Sequence, residues 1–304
     1  MRVSVVVPTH GRPAGLAAVL AGLRRQTLAR DAFEVIVVDD GSDPPARADG
    51  ADRLIRHERP RGPAAARNSG WRAARSPLVA FVDDDCVPVP SWLEALTAAA
   101  GGSDRAIVQG PVAPPPAQED RITPVTHTIR LEGPSRVFES CNIAYARAVL
   151  EATGGFDESF RRACGEDVEL GARALRAGAA LRWAPEARVH HEVRPLGLAG
   201  TLRQTLKWTD AVRALSKQPQ LRELLTARLF WRPSHPLLLL ALAGLASRRP
   251  LVAAVAAAPW AAHHRRAHAS VAELARWLPA HLAIDACEIA TVAAGSVRYR
   301  TPML

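Results

Sequence analysis

The chain has 304 residues, of which 48% are hydrophobic and 23% are charged, and its formal net charge is +9. This composition excludes a disordered protein and is enough for one large or two modest domains with a sizeable core. The positive charge suits anionic partners such as nucleotide phosphates or anionic lipid. No nucleic-acid partner is expected, because aromatic residues make up only 5% of the chain and no basic stripe is interleaved with them.

Strands and helices alternate over the first hundred residues. Val3 to Val7 and Phe33 to Val38 are predicted to be buried strands, with a helix over Pro13 to Gln26 between them. A short strand near Leu54 to His57, a helix over Gly62 to Ala74 and a strand over Leu78 to Val82 follow. This alternation predicts an α/β fold with a mostly parallel sheet flanked by helices, in which ligands bind beyond the carboxyl ends of the strands.

The middle of the chain is less regular. Residues 111–136 are Pro-rich and are expected to form a long loop, and Ser135 to Tyr145 is predicted to return as a strand before the turn GGFDES. A helix is predicted over Gly165 to Gly178, and a last strand over Leu181 to His191.

From about Arg228 the sequence becomes strongly apolar. Pro236 to Ala246 and Leu251 to Ala262 are almost purely apolar and are divided by SRRP. Each is shorter than the ~20 residues that a helix needs to span a bilayer. The pattern predicts either a helical hairpin over residues 228–262 in peripheral contact with a membrane, or a pair of buried helices that pack on protein. We divide the chain into an α/β domain, 1–215, and an α-helical, partly apolar C-terminal region, 216–304.

The cysteines and the start of the chain bear on localisation. No two cysteines have CxxC spacing, so a zinc knuckle or a redox pair is not indicated. The opening MRVSVVVPTH lacks the order of basic, apolar and small residues that marks a signal peptide. We therefore expect a cytoplasmic protein, including one at the inner face of the plasma membrane.

The stretch VAFVDDDCVP places three carboxylates, Asp83, Asp84 and Asp85, at the end of an apolar strand. Like charges at such a position repel each other and resist burial. Carboxylates are the ligands that Mg²⁺ and Mn²⁺ prefer, so the triplet predicts a clamp for a metal and a diphosphate. The alternative is a solvated turn, because Asp is common at strand ends.

Two further patterns have the chemistry of nucleotide binding. Asp39 and Asp40, before Gly41-Ser42, can accept hydrogen bonds from a base or a ribose, although such a run is also an ordinary turn. Arg67 and Asn68, on the helix after the third strand, can meet a base carbonyl or a phosphate. The alternative for this pair is a surface arginine and a helix-end asparagine.

Two patterns in the second half of the domain have the chemistry of catalysis and metal binding. Glu166 and Asp167 open a helix, where a carboxylate is either a general base or a helix cap. His190 and His191 end the last strand, and strand alternation allows only one of them to face the site as a metal ligand. Either can instead be a core histidine.

The order of these motifs resembles family 2 glycosyltransferases over residues 1 to about 210. The motifs that carry the resemblance are VVVPTHGR, VIVVDDGS, GPAAARNSGW, VAFVDDDC, GGFDES and GEDVELGARALRAG. The resemblance implies a GT-A fold, a UDP- or dTDP-sugar donor, Mn²⁺ or Mg²⁺, and inversion at the anomeric carbon. The implied acceptor is a hydroxyl of a glycan, including a lipid-linked or cell-envelope glycan.

The resemblance also implies roles for individual residues. Asp167 would be the general base, and Glu166 would position it or the acceptor. Asp85 and Asp83 would hold the metal, with His191 or His190 as a further ligand. The residues that would contact the nucleotide are Pro8, Thr9, Arg12, Asp39, Asp40, Arg67, Asn68, Asp83 and Asp84.

The chain departs from processive synthases of the family. These carry a Gln-x-x-Arg-Trp motif, whereas the comparable segment here reads RQTLKW, residues 203–208. Since we also recognise no long transmembrane helix, we expect addition of a single sugar. One alternative is a sugar nucleotidyltransferase, but such enzymes usually have a Gly-rich, basic loop after the first strand, and PTHGRPAG does not match this pattern. The other alternative is a non-catalytic scaffold that docks on a membrane.

Overall fold

The computed structural model describes all 304 residues, which form two compact units. The first unit comprises residues 1–121 and 128–193, and the second comprises 122–127 and 194–304. The strands are β1 (Val3–Thr9), β2 (Phe33–Asp39), β3 (Arg53–Arg56), β4 (Leu78–Val82), β5 (Cys86–Pro88), β6 (Ala106–Gln109), β7 (Val112–Ala113), β8 (Thr126–His127), β9 (Asn142–Ala146), β10 (Ala180–Trp183), β11 (Val189–His191) and β12 (Arg194–Pro195). The helices are α1 (Pro13–Arg24), α2 (Pro63–Ala73), α3 (Trp92–Ala100), α4 (Arg147–Thr153), α5 (Glu166–Arg176), α6 (Gly197–Thr205), α7 (Thr209–Lys217), α8 (Ser234–Ala246), α9 (Pro250–Arg265) and α10 (Val271–Tyr299).

A seven-stranded sheet in the order β10-β6-β9-β4-β1-β2-β3 organises the first unit. Strand β9 runs antiparallel to β4 and β6, and the other pairings are parallel. The predicted mostly parallel α/β sheet is therefore confirmed. The predicted boundary at residue 215 falls inside α7 and stays a prediction.

Both faces of the sheet are covered, which explains why its central strands are apolar at nearly every position. Val5 and Val7 of β1 pack into one core cluster, together with α1 and α3. Val6, which points to the opposite face, packs into a second cluster with α2, α4 and α5. Strands buried on both faces read as continuous apolar runs, as β1, β2 and β4 do here.

The predicted single strand over Leu181 to His191 is wrong. The chain instead forms β10, at an edge of the large sheet, and β11, which lies between β5 and β7 in a separate three-stranded sheet. Pro185 lies between them, and the backbone turns there through a hydrogen bond from the Ala187 amide to the Ala184 carbonyl. A proline cannot continue a strand ladder, so the chain leaves one sheet and enters the other.

The second unit is helical. Helices α8 and α9 pack along each other and are joined by a short turn at 247–249, which gives the predicted helical hairpin. Helix α10 packs against α6, α7, α8 and α9. It has 29 residues and is long and apolar enough to cross a membrane, judged by length and composition alone. This helix was not predicted from the sequence. A third of its most apolar window is buried within the protein.

A network of polar side chains lies inside this helical unit. Asp285 of α10 accepts a hydrogen bond of 2.8 Å from Trp260 Nε1, and His264 Nε2 lies 3.0 Å from the same oxygen. Glu288, one turn later, accepts a bond of 2.9 Å from Arg232 Nη2. Buried carboxylates need such partners, because an unpaired charge in the interior is strongly unfavourable.

Glycine at position 15 allows α1 to approach the end of β4. A Cβ atom on Gly15 would lie 2.2 Å from the carbonyl oxygen of Asp84, closer than real Cβ atoms come to backbone. We therefore expect Gly15→Ala to force α1 away and to cost about 1–3 kcal/mol, as overpacking of a core contact does. Thermal unfolding measures this loss as a lower melting temperature.

Gly133→Ala is the matched control, because a Cβ atom there meets nothing within 4 Å. An equal melting temperature for the two alanine variants would contradict the close packing of α1 on Asp84.

Candidate functional site

The polar residues that follow β1, β2 and β4 meet at one edge of the large sheet. These three strands are parallel neighbours, and Thr9 at the end of β1 is in register with Asp39 at the end of β2. The three aspartates follow β4 directly. The parallel topology therefore brings the predicted acidic motifs to a common edge.

Arg12 pairs with the aspartate triplet. Its Nη1 donates a hydrogen bond of 2.7 Å to Asp85 and lies 3.1 Å from Asp84, while its Nη2 donates one of 3.0 Å to Glu192. Burial opposes the charge on this guanidinium, but the surrounding carboxylates raise the pKa of Arg12 above its usual value. The resemblance implied only that Arg12 borders the nucleotide, and its contact with the triplet was not predicted.

Asp84 is the most enclosed member of the triplet. It accepts a hydrogen bond of 2.7 Å from Thr9 Oγ1 and is 7% exposed. Burial raises the pKa of Asp84 to about 6, although Arg12 and Thr9 pull it down. We infer that Asp84 holds the end of β1 to the end of β4, whereas Asp83 and Asp85, on either side of it, have other partners.

Arg67 joins the triplet to the acidic start of α5. The side chain is 3% exposed, and its Nη2 donates a bond of 2.8 Å to Asp83. Its Nη1 donates one of 3.1 Å to Glu166 and lies 3.8 Å from Asp167. Despite burial, these carboxylates raise the pKa of Arg67 far above its usual value. The resemblance implied that Arg67 assists base binding, but in the structure its guanidinium is occupied by carboxylates.

Glu166 and Asp167 differ in exposure. Glu166 is 1% exposed, whereas about a fifth of the Asp167 side chain, 21%, is accessible. The amide of Ser140 donates a bond of 3.0 Å to Asp167 Oδ2, and Asp167 Oδ1 has no hydrogen-bond partner. Burial, reinforced by neighbouring carboxylates, raises the pKa of both groups. Asp167 is therefore an oriented, partly accessible carboxylate, with Oδ1 enclosed beside Arg67.

The two histidines of β11 face opposite sides of the strand. His191 is 2% exposed, and its Nε2 lies 3.7 Å from Asp85 Oδ1. Its Nδ1 is 2.9 Å from the Glu192 carbonyl oxygen, to which only a protonated Nδ1 can donate. In the neutral ring this fixes the lone pair on Nε2, toward Asp85. His190 is not part of this group.

Asp85, Cys86 and His191 offer ligand atoms that all lie within 4.8 Å of one another. Carboxylate and imidazole groups fit a divalent ion such as Mn²⁺. Cys86 was not predicted to lie in this group, since lone cysteines give no signal in the sequence. Burial raises the pKa of the Cys86 thiol well above its usual value, and its Sγ lies 3.6 Å from Asp85 Oδ1, to which the thiol donates.

Asp39 and Asp40 each organise the loop that follows them. Asp39 is fully buried, and it accepts hydrogen bonds from the amides of Ser42 and Ala46 at 2.9 and 3.1 Å. It also accepts a bond from Arg56. These partners lower the pKa of Asp39 below its usual value even though burial opposes this. A base could reach Asp39 only after some of these bonds rearrange.

Asp40 accepts bonds of 2.8 Å from the amides of Arg61 and Gly62, and His57 Nδ1 lies 2.6 Å from its Oδ1. It is 6% exposed. The carboxylate thus fixes the loop that leads into α2, the helix that carries Arg67. The predicted contact of Asp39 or Asp40 with the base stays a prediction.

Asn68 uses all four of its side-chain hydrogen bonds within the protein. Its amide nitrogen donates to the Phe156 carbonyl and to Glu158, and its oxygen accepts from Trp71 Nε1 and from the Phe156 amide, at 2.8 to 3.0 Å. We assign Asn68 to the support of the GGFDES turn, because a contact with a nucleotide would require one of these bonds to break.

A cavity of about 750 Å³ opens beside Arg12, between α1 and the loop after β2. Its lining includes Thr9, Arg24, Ser42 and Arg47, but none of the three aspartates of the triplet. The volume is typical of a small-molecule site. It adjoins the predicted nucleotide residues of β1 and does not contain the predicted metal ligands.

Comparisons with known proteins identify the family of the chain. The family model described as glycosyl transferase family 2 matches residues 4–156, which is half of the chain. The pre-mycofactocin glycosyltransferase of Mycobacterium tuberculosis is 32% identical over 210 residues, covering 63% of this chain and 43% of the relative. The validoxylamine A glucosyltransferase of Streptomyces hygroscopicus subsp. jinggangensis is 32% identical over 212 residues, covering 56% and 50%. Each match spans about half the length of the relative.

Solved structures confirm the predicted GT-A fold. S. aureus TarS 1-349 in complex with UDP covers 99% of this chain and 92% of its own, with a TM-score of 0.52 and 17% identity. GalNAc-T7 with UDP, GalNAc and Mn²⁺ covers 64% and 43%, with a TM-score of 0.51 and 16% identity. At these identities the likeness shows the fold alone.

Arg67 is expected to be a major source of stability in the first unit. Arg67→Met leaves Asp83, Glu166 and Asp167 without their shared cation, and loss of one partner from a buried ion pair costs about 3–5 kcal/mol. Chemical denaturation measures this as a lower midpoint. Arg72→Met, which removes an exposed arginine paired with Glu158 at 3.0 Å, is the control and should cost about 0–1 kcal/mol. Equal losses of stability in the two variants would show that the buried ion pairs of Arg67 stabilise the fold no more than an exposed pair does.

Proposed function

Because the chain belongs to glycosyl transferase family 2, we propose that it transfers a sugar from a nucleotide-diphosphate-sugar donor to an acceptor hydroxyl, with inversion at the anomeric carbon. The observation that carries the proposal is the position of Arg67. One guanidinium contacts Asp83, on the side predicted to bind the donor, and the Glu166–Asp167 pair, on the side predicted to bind the acceptor. Both halves of a transfer site are thus built around one buried cation.

Asp85 and His191 are the proposed metal ligands, with Asp83 beside them. The tautomer fixed by the Glu192 carbonyl gives His191 an unprotonated Nε2 toward Asp85, which suits a divalent cation. When bound, Mn²⁺ or Mg²⁺ supplies positive charge to the two phosphates of the leaving nucleotide. Support comes from the related folds that were solved with UDP, and with UDP, GalNAc and Mn²⁺.

Asp167 is the proposed general base. The Ser140 amide orients the carboxylate through Oδ2, while Oδ1 is enclosed 3.8 Å from Arg67 Nη1 and makes no hydrogen bond. An acceptor hydroxyl would reach the carboxylate through the accessible fifth of the side chain, 21%. The proton leaves the hydroxyl as its oxygen attacks the sugar opposite the departing nucleotide, and a single displacement inverts the anomeric carbon. Glu166, which is almost completely buried, is proposed to orient Arg67 and Asp167 and not to contact the acceptor.

The donor base is proposed to be uracil or thymine, and the acceptor a glycan or lipid-linked glycan that receives one sugar. The two relatives in the comparison are a glucosyltransferase and a glycosyltransferase named for other acceptors, so they support the reaction class and not the acceptor. A sugar nucleotidyltransferase would release pyrophosphate, whereas the proposed reaction releases a nucleoside diphosphate. A non-catalytic scaffold would show no metal-dependent binding of the donor.

We expect Asp167→Asn to lower turnover by at least ~10²-fold, because the amide cannot accept a proton and general-base help is typically worth ~10²–10⁴-fold. Donor affinity, measured by calorimetry, should be unchanged. Nucleoside diphosphate release from a set of UDP- and dTDP-sugars, with and without acceptor, measures turnover. Asp104→Asn, at an exposed aspartate, is the control variant. Near-normal turnover of Asp167→Asn would show that Asp167 is not the general base.

The pH profile of the unmodified enzyme gives an independent test of the same residue. Asp167 must be ionised to act as a base, and its pKa is raised by burial, so activity should fall as pH drops through a value above the ordinary ~4 of an aspartate. An acid limb at or below pH ~4 would mean that the base is a different, ordinary carboxylate.

The metal assignment distinguishes two adjacent histidines. We expect His191→Ala to raise the Mn²⁺ concentration that gives half-maximal donor hydrolysis by at least ~10-fold. The substitution removes an imidazole that either binds the metal or lies next to its ligand Asp85. His190→Ala, one residue away on the other face of β11, should leave the metal requirement unchanged. The opposite order of effects would move the site to the other side of the strand.

A further inference from the structure

The α8–α9 hairpin has an unusual charge pattern. Between Glu223 and Glu273 the chain contains no acidic residue. The same segment contains arginines at positions 228, 232, 248, 249, 265 and 266. These lie before α8, in the turn between the helices, and at or after the end of α9. The hairpin is therefore purely basic at both ends and uncharged along most of its length.

Large apolar side chains of this hairpin are exposed to solvent. Leu245 is 60% exposed and Leu251 is 81% exposed, and they flank the basic turn. Further exposed positions on the two helices are Leu240, Leu242, Val252 and Val255. Single exposed apolar residues are ordinary on a protein surface, but six on two packed helices, with arginines at both ends, point to an interaction site.

The interior of the unit holds polar side chains beside apolar ones. Helix α8 buries Ser234 and His235 together with Leu238 and Ala241, while it exposes Leu240, Leu242 and Leu245. The buried face of α10 carries Asp285 and Glu288, whose partners come from within the unit. Trp260, His264 and Arg232 supply partners to the two carboxylates, whereas Nδ1 of the buried His235 has none. Leucines and valines left on the outside are favourable where they contact hydrocarbon and not water.

The lengths of the helices restrict how they contact a bilayer. Helices α8 and α9 have 13 and 16 residues, or ~20 and ~24 Å at 1.5 Å per residue. A hydrocarbon core is ~30 Å thick. Neither helix spans it, but both are long enough to lie in the interface with the apolar face down, and arginines there meet anionic headgroups.

We propose that the α8–α9 hairpin docks on an anionic lipid bilayer. Leu245, Leu251 and Val255 enter the interface, and Arg248 and Arg249 of the turn contact lipid phosphates. A second copy of the chain is a less suitable occupant, because its hairpin would bring the same positive charges to the contact. This inference does not depend on the proposed reaction, since it uses only residues of the second unit.

Flotation of the full-length protein with vesicles tests the proposal. Binding is expected to vesicles of equal parts phosphatidylcholine and phosphatidylglycerol, to weaken with added salt, and to be much weaker on phosphatidylcholine alone. Equal binding to both vesicle types, or no binding to either, would overturn the proposal.

Two variants locate the contact. Leu245→Glu with Leu251→Glu should abolish flotation, whereas Val297→Glu, at a residue of α10 that is 82% exposed, should not. Arg248→Gln with Arg249→Gln should weaken binding about fivefold per arginine. Arg105→Gln with Arg121→Gln removes the same net charge from exposed positions of the first unit and should have no such effect. If the control variants lose flotation as strongly as the hairpin variants, the hairpin is not the contact.

A second copy of the chain is the remaining partner of the hairpin to exclude. Sedimentation velocity without vesicles should show the same species for the unmodified protein and the leucine variant. Oligomers that the leucine variant abolishes, in a protein that does not float with anionic vesicles, would assign the apolar face to a second copy and overturn the proposal.

Discussion

The contact between Arg67 and three carboxylates is the constraint on which the first unit depends. A buried guanidinium is tolerated only when it is paired, and buried carboxylates are tolerated only when they share a cation. Asp83 follows β4, Glu166 and Asp167 begin α5, and Arg67 lies on α2. Three elements that are distant in sequence are therefore fixed relative to one another by a single charge. Asp40 holds the loop that leads into α2, and Asn68, in the middle of α2, ties the helix to the GGFDES turn.

Arg12 has the corresponding role on the other side of the triplet. It pairs with Asp84 and Asp85, and it depends on the close approach of α1 that Gly15 allows. The two arginines divide the aspartates between them, so that adjacent carboxylates do not depend on water for their stability. Burial nevertheless raises the pKa of Asp84 and of Asp167, which shows that the pairing does not remove the whole cost of enclosing these charges.

The fold of the first unit was largely predictable from the sequence, because it depends on patterns that the chain displays directly. Strands buried on both faces are continuous apolar runs. A parallel topology brings their polar ends to one edge of the sheet, so the common position of the acidic motifs could be predicted from β1, β2 and β4 alone. The division of the last predicted strand at Pro185 was missed, since its apolar pattern continues on both sides of the proline. Helix α10 was missed because Glu273, Arg276, Asp285 and Glu288 interrupt its apolar residues.

The candidate site was less predictable than the fold. Sequence motifs identified which residues lie near the edge of the sheet, but not which of them contact one another. Asn68 has the chemistry of a nucleotide contact and is used entirely to hold a turn. Arg12 and Arg67 have the chemistry of phosphate contacts and are paired with carboxylates. A side chain's type gives the bonds that it can make, and only the packing of the elements decides which of these bonds are made.

The two units differ in how many large apolar side chains they expose, and most of the exposed ones lie in the second unit. The first unit buries apolar strands and places its charges at the edge of a sheet, as a protein surrounded by water does. The second unit encloses Asp285, Glu288 and their partners while Leu240, Leu242 and Leu245 of α8 remain exposed. Under the proposed docking, substitutions on the outside of the hairpin would alter where the protein is held without touching Arg67 or Asp167. The two proposals therefore place the chemistry and the location of the reaction in different stretches of the chain, so that each can be tested without the other.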